Sequence, residues 1–411
     1  MNHLWSKDYI FVIGINFLIY TVHFALMLWS SSYAAAHFDA ALSLSGLCSG
    51  AFIIGALLGR IPAGLYIDLL GRRRLFLWGA FLFFLCIPFY LASPHVYALI
   101  AVRFLHGLSF GLCSTAASTI AAALIPPARL GSGIGYYTLG VTLASAAGPF
   151  FAMAMIHARQ FALCITGAAV LAGGVLLLSM LMKVPERVVT KEERQELQSF
   201  QWTHCFSRAA LPISCIALLG GICYSSVLSF LGAYTDALRL PAGGTWFFLF
   251  FAFTSFLSRP LTGYLLDRHG GNIVIYPALL SLALSMVCLS ESRGEGLLLT
   301  GALLLGIGYG TLTAACHALA LYCAGPYETG TATSTYFVLL DAGIGASPYV
   351  LGEIAANYSL SAVYDVSAFA ALCGLFLYYI LLGRKNRFAA SRIEQSRERK
   401  APLLPTGADR A

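Results

Sequence analysis

Charge is what this chain has least of: only 10% of its 411 residues are Asp, Glu, Lys or Arg. A soluble domain carries roughly a quarter, so a water-exposed globular fold is excluded. The net charge of +7 is therefore no argument for nucleic acid; in such a chain the placement of basic residues marks one side of a membrane instead. There is no GxxxxGK[ST] loop, which argues against a nucleotide-driven pump. None of the eleven cysteines forms a CxxC pair, and most, such as Cys48, Cys86, Cys113 and Cys316, lie in apolar stretches as small packing residues. No nucleophile–base pair and no metal-ligand spacing stands out, so an enzyme, a metal site and a cofactor are not expected. No segment alternates with period two, which leaves helices and excludes barrel strands. The first apolar segment, starting near Tyr9, is too long for a signal-peptide core and is expected to stay as a membrane helix.

What is abundant is apolar length: 59% of the residues are hydrophobic. About 20 apolar residues span a bilayer as a helix. Twelve such segments can be placed, near 9–33, 43–67, 75–93, 97–124, 130–155, 161–182, 209–235, 244–266, 272–290, 297–323, 329–356 and 361–383. The expected fold is an all-α polytopic membrane protein of twelve transmembrane helices in two pseudo-symmetric six-helix bundles. Residues 1–182 form the first bundle, 183–208 a linker with the charged run Lys191-Glu192-Glu193-Arg194, 209–383 the second bundle and 384–411 a basic tail. Of 25 Lys and Arg, only Arg159, Arg239 and Arg293 fall in outer loops, and Arg60, Arg103 and Arg259 in membrane segments. The remaining 19 lie on one face, which puts both termini in the cytoplasm of a multi-pass plasma (inner) membrane protein.

The chain repeats itself. Adding 199 carries Arg60 to Arg259, Gly64 to Gly263, Asp68 to Asp267, Gly71 to Gly270, Gly107 to Gly306, Gly111 to Gly310 and Pro149 to Pro348. One constant offset over four helices implies two homologous halves, an arrangement of secondary transporters. The most conspicuous repeated stretch follows the second segment: Gly64, Asp68, Gly71, then Arg72, Arg73 and Arg74; its second copy is Gly263, Asp267, Arg268 and Gly270. Asp68 ends a helix, where the dipole disfavours an anion. It needs an arginine or a helix N-terminus from elsewhere, and the start of the eleventh segment at Pro326-Tyr327-Glu328-Thr329 offers one. By the same symmetry Asp267 should face the start of the fifth segment.

On these residues the chain resembles the major facilitator superfamily, and the likeness to its twelve-helix drug or metabolite:proton antiporters covers the whole helical region. Gly64, Asp68, Gly71, Arg72 and Arg73 match that family's loop between helices 2 and 3, except that Leu69 stands where an arginine usually follows the acid; Arg268 supplies it in the second copy. The resemblance implies a cytoplasmic gate, with the first acid expected to lean on Arg72 and Arg73 and the second on Arg268.

Further polar residues lie inside apolar helices. Arg103 in helix 4 is followed by Gly107 and Gly111 at helix-packing spacing. A membrane arginine defaults to a functional reading, and the family resemblance implies a part in proton transfer; outward snorkelling is the other reading. In helix 5, Gly140, Gly148 and Pro149 form a seam and hinge similar to the antiporter motif, whose last two glycines are here Ala152 and Met153. Asp341, near the middle of helix 11, has its protonated form favoured at the membrane midplane, which makes it a candidate proton carrier or an arginine's partner. The resemblance makes helices 1, 4, 7 and 10 cavity-lining, which nominates Asn16, Tyr20, His23, His106, Tyr224, Tyr309 and His317 for substrate contact or for packing.

The function expected is proton-coupled efflux of a small organic solute, a drug or a metabolite that includes metal chelators, by alternating access. A proton-coupled importer, and a non-transporting membrane sensor, are the alternatives. The expected partners are substrate, protons and the lipid bilayer, with no nucleic acid and a monomeric state. Histidines and Arg103 with few acids lean towards a neutral, anionic or zwitterionic solute.

Overall fold

The computed structural model describes residues 4–40, 42–187, 205–325 and 328–384. The charged run at Lys191, Pro326 with Tyr327, and the basic tail from Lys385 lie outside the described residues. The chain divides into two compact units. One holds Trp5–Leu124 and Tyr137–Phe206; the other holds Ile125–Tyr136 and Ser207–Ala411.

Twelve long helices, and no strand, are formed by the described residues. The first unit holds α1 (Lys7–Phe38), α2 (Leu42–Leu70), α3 (Arg72–Leu85), α4 (Val96–Leu124), the greater part of α5 (Leu130–His157) and α6 (Phe161–Leu181). The second holds the first turns of α5, then α7 (Leu211–Ala237), α8 (Pro241–His269), α9 (Asn272–Ser290), α10 (Glu295–Cys323), α11 (Thr329–Asn357) and α12 (Leu360–Tyr378). Among the described residues, eleven helical spans are long and apolar enough to cross a membrane. Each expected segment falls on one of these helices, because in hydrocarbon every backbone N–H and C=O must be satisfied within its own segment.

Local chemistry sets the ends. Ser6 caps α1 by accepting from the backbone N–H of Tyr9 at 3.2 Å, with Asp8 in the first turn. Ser359 caps α12 in the same way, accepting from Ala362 at 3.0 Å. The helices α3 and α9 are cut from their predecessors by Gly71 and Gly270, whose φ values are +90° and +87°. Only glycine adopts that backbone freely, and the two breaks sit at the same repeat offset. The third helix is shorter than expected: it ends at Leu85, and Pro88 opens a single 3-10 turn to Tyr90. That turn buries Tyr90 completely.

Within the first unit α2 lies along α4 at backbone contact. A Cβ built on Gly107 would stand 2.0 Å from the Phe52 carbonyl oxygen, and one on Gly59 would stand 2.2 Å from that of Leu108. The second unit repeats the approach between α8 and α10, where Thr254 replaces the glycine that Gly55 supplies in the first copy. The α10 ladder there loosens into a π turn over Gly306–Gly310. Outward faces carry large apolar side chains such as Trp78, Leu105, Phe150, Leu257 and Phe369, the surface a lipid-facing helix presents.

Candidate functional site: two helix-end clasps and two buried polar clusters

Asp68 sits in the last turn of α2, only 8% exposed. Its Oδ1 accepts from Arg72 Nε at 2.9 Å and its Oδ2 from Arg187 Nη1 at 3.2 Å. Two guanidinium groups thus offset the unfavourable helix-end dipole. Arg73 turns away from Asp68 and donates to the Met180 carbonyl at the end of α6, 3.2 Å away. The segment after α6 does more than connect. The α3 N-cap, Gly71, has no side chain to offer, and Glu186 takes its place: its two oxygens accept from the backbone N–H groups of Arg72 and Arg73, each at 2.8 Å. The same segment is tied to α1 by Lys183 N–H, which donates to Asp8 at 2.8 Å. A depression of about 440 Å3 opens beside this turn, lined by Asp68, Gly71, Arg74, Glu186 and Arg187 among others. Glu186→Ala leaves two α3 donors without a cap and is expected to remove about 1 kcal/mol from the first unit, read as a lower melting temperature that Glu186→Gln restores in part.

Asp267, at the end of α8, is bound differently. Its oxygens accept from the backbone N–H groups of Gly131 and Ser132 at 2.8 and 2.9 Å, from Ser132 Oγ at 2.6 Å and from Tyr322 Oη at 2.8 Å. Gly131 and Ser132 open α5, so their N–H groups have no intrahelical acceptor and carry the positive end of the dipole. The start of α5 is therefore where the repeat places it, opposite Asp267. Contact is close because both sides lack side chains: a Cβ on Gly263 would stand 2.8 Å from Ser132 Cα. Arg268 lies over the Tyr264 ring, 5.0 Å from its centroid. Glu328, at the start of α11, accepts from Ser207 Oγ at 3.1 Å.

Inside the first unit, Arg103 is fully buried and does not snorkel outward. Its Nε donates to the Cys48 carbonyl at 2.9 Å, its Nη1 to Tyr90 Oη at 3.2 Å, and its guanidinium lies 4.4 Å over Phe52. Tyr90 Oη also meets His106 Nδ1 at 2.8 Å. A guanidinium only donates, so the tyrosine hydroxyl accepts from it and keeps its own proton for Nδ1; in that arrangement neutral His106 carries its proton on Nε2. His23 stacks on Phe52 and Phe110 at 4.5 and 5.0 Å, and Tyr20 meets Phe110 edge-on. Asn16 donates to the Tyr137 carbonyl at 3.0 Å. Gly140 and Gly148 face the backbone of α1 at Ile13 and Thr21, and α5 continues through Pro149 as one helix.

The second unit has its own ring pairs. Tyr224 and Tyr309 stack at 4.2 Å with 5° between planes, Tyr309 standing on the π turn. His317 stacks on Tyr336 at 4.7 Å, and Tyr336 Oη donates to the Thr313 carbonyl at 2.8 Å. Asp341 is half-buried on α11 and lies within electrostatic reach of Tyr309, as does the buried Arg259.

Sequence reasoning missed Glu186, Arg187, Tyr322 and Tyr90. The first two look like ordinary linker charges, and the tyrosines look like packing; only tertiary placement shows what they hold.

Twelve long apolar helices among the described residues define a multi-pass membrane protein. The model of the Major Facilitator Superfamily matches residues 12–292 and 244–408, and the chain belongs to that family. An uncharacterised MFS-type transporter of Methanocaldococcus jannaschii is 22% identical over 349 residues, covering 81% of this chain and 88% of the relative. A second MFS-type transporter, from Burkholderia mallei, is 26% identical over 182 residues, 44% of each chain. Among solved structures, the human organic anion transporter MFSD10 aligns with a TM-score of 0.72 at 17% identity over 90% of this chain and 99% of its own. FucP, in its outward conformation, aligns with 0.69 at 16% identity, over 92% and 99%. The protein is a secondary transporter in class, not an enzyme.

Proposed function

We propose that the chain is a proton-coupled exporter of a small organic solute, working by alternating access as a monomer. It would sit in the plasma (inner) membrane with both termini cytoplasmic, as two six-helix halves (1–182 and 209–383) joined by the 183–208 linker and followed by the 384–411 tail. In this reading the Asp68 and Asp267 turns are cytoplasmic gate elements, and Asp341 and Arg103 serve proton coupling. The observation that carries the coupling is Asp341: a carboxylate midway along an apolar helix, half-buried and within electrostatic reach of Tyr309, as is Arg259. A carboxyl group so placed gains or loses a proton at a free-energy difference that tracks exposure, which lets proton binding bias one conformation over another. Asn16, Tyr20, His23, His106, Tyr224, Tyr309 and His317 are the groups proposed for substrate contact. The outward direction rests on the α5 seam of Gly140, Gly148 and Pro149. The inward alternative is favoured by Ala152 and Met153, which interrupt that motif.

In proteoliposomes, Asp341→Asn is expected to abolish substrate-driven proton movement while leaving the protein folded. Full coupling in that variant would remove Asp341 from the mechanism. Comparing metabolites in the medium and cytosol of a deletion strain sets the direction: accumulation inside favours export, depletion favours import.

A further inference from the structure

The first unit contains a buried positive charge that its described residues do not balance with a carboxylate. Through residue 185 the sequence holds three acids, Asp8, Asp39 and Asp68. Asp8 is in the first turn of α1, Asp39 is its C-cap and Asp68 is in the last turn of α2. None lies on α3 or α4. The hydrogen-bond partners of Arg103 are neutral, the Cys48 carbonyl and the Tyr90 hydroxyl, and no carboxylate pairs with it among the described residues. A guanidinium withdrawn from water without a counter-charge is costly, and a membrane-embedded one marks a site.

Unpartnered nitrogens gather at the same spot. Arg103 Nη2, His106 Nε2 and His23 Nδ1 are buried without a hydrogen-bond partner among the described residues. All three side chains pack around one ring: Phe52 lies 4.4 Å from the Arg103 guanidinium, 4.5 Å from His23 and 5.7 Å from His106. Tyr90 fixes the chemistry. By accepting from Arg103 and donating to His106 Nδ1, it leaves the His106 proton on Nε2 as a donor. Arg103 Nη2 and His106 Nε2 are then two N–H donors, one of them charged, with nothing to donate to. A further arginine, Arg60, brings its guanidinium to 5.5 Å from the neighbouring Phe110 and deepens the positive potential.

We propose that Arg103 and His106, with Tyr90 as the positioning residue between them, form an anion subsite that takes the carboxylate group of a small organic acid. The subsite rests on the transporter reading and narrows its substrate class: the cargo is anionic, the apolar walls from Phe52, Phe83 and Phe110 receive its hydrocarbon part, and the two N–H donors hold its charge. His23, on α1, stacks on two of these rings, Phe52 and Phe110.

The test is binding, without transport. The purified full-length protein in lipid nanodiscs, in Hepes–Tris buffer, is titrated with acetate and benzoate, with the neutral amides acetamide and benzamide, and with chloride. Trp29 lies edge-on to Tyr90 at 5.7 Å and reports on the cluster by fluorescence; melting temperature is the second readout. The carboxylates are expected to give a saturable signal and to raise the melting temperature, and the amides neither. Arg103→Gln is expected to raise the half-saturating carboxylate concentration at least about tenfold. Because this variant removes an uncompensated charge, its melting temperature without ligand should not fall. Tyr90→Phe, which frees His106 to change tautomer, is expected to weaken carboxylate binding several-fold while sparing the fold. A response to chloride with none to either carboxylate would overturn the assignment, as would equal binding of amides or unchanged affinity in Arg103→Gln. Such a failure leaves the transporter reading standing, and full coupling in Asp341→Asn would leave this subsite standing.

Discussion

Gly107→Val is expected to abolish the folded protein, so that almost nothing monodisperse survives extraction from membranes. The reason is backbone, not side chain. A single Cβ at this position would lie 2.0 Å from the Phe52 carbonyl oxygen and 2.8 Å from its carbonyl carbon. Neither atom can rotate away, and α2 would have to leave α4. The contact is not isolated, because Gly55, Gly59 and Gly111 build the same seam, each with a Cβ position within 2.3 Å of a facing carbonyl oxygen. Helices in lipid gain little from excluding water between them, so close backbone approach and dispersion carry the association. Displacing α2 also disturbs the Cys48 carbonyl that receives Arg103 and the Phe52 ring beneath it. Gly14→Ala on α1 is the control: nothing stands within 4 Å of its Cβ position, and removing a helical glycine is expected to stabilise by about 0.5–1 kcal/mol. Size-exclusion profiles and melting curves of the two variants measure the contrast. A well-folded Gly107→Val protein would mean that α2 and α4 are not in backbone contact.

That seam was half legible. Gly107 and Gly111 announce a groove by their spacing, but nothing in the sequence says which helix fills it, since four-residue glycine spacing also occurs on α5. The twelve spans were legible because bilayer thickness and backbone hydrogen bonding leave a long apolar run one solution. The paired turns were legible because Gly71 and Gly270 recur at one offset and both adopt positive φ. Their partners were not. Glu186 and Arg187 sit 118 and 119 residues from Asp68 in a stretch that reads as polar linker, yet one caps α3 and the other neutralises the acid. Tyr90 hid for a different reason. Pro88 ends α3 early, and the 3-10 turn that follows delivers a tyrosine into the interior that an unbroken helix would have carried elsewhere.

Asp267→Asn is expected to lower turnover about tenfold or more without loss of folded protein, whereas Asp68→Asn should cost less. The two acids occupy equivalent repeat positions but hold unlike partners. Asp68 receives two arginines, and one of these, Arg72, follows it four residues later across the Gly71 break. That pair fastens the end of one helix to the start of the next, within the first unit. Asp267 instead accepts four hydrogen bonds, two of them from the first backbone N–H groups of α5. An asparagine keeps the shape but turns one acceptor into a donor facing a backbone N–H, so at least that contact is lost, the facing hydroxyl can only reverse, and the helix dipole loses its counter-charge. Hydrogen bonds to a charged group contribute about 1.5–3 kcal/mol each, enough to shift a two-state equilibrium by more than a factor of ten. If the clasp belongs to one conformation of the transport cycle, that conformation is depopulated and the cycle slows. Ser132→Ala and Tyr322→Phe each remove one contact and should reduce turnover only two- to three-fold. Combined with Asp267→Asn they should add almost nothing, since their acceptor is already altered. Full additivity in that double-mutant cycle would show that Ser132 and Tyr322 act apart from Asp267, and wild-type turnover in Asp267→Asn would remove the α8–α5 clasp from the transport cycle altogether.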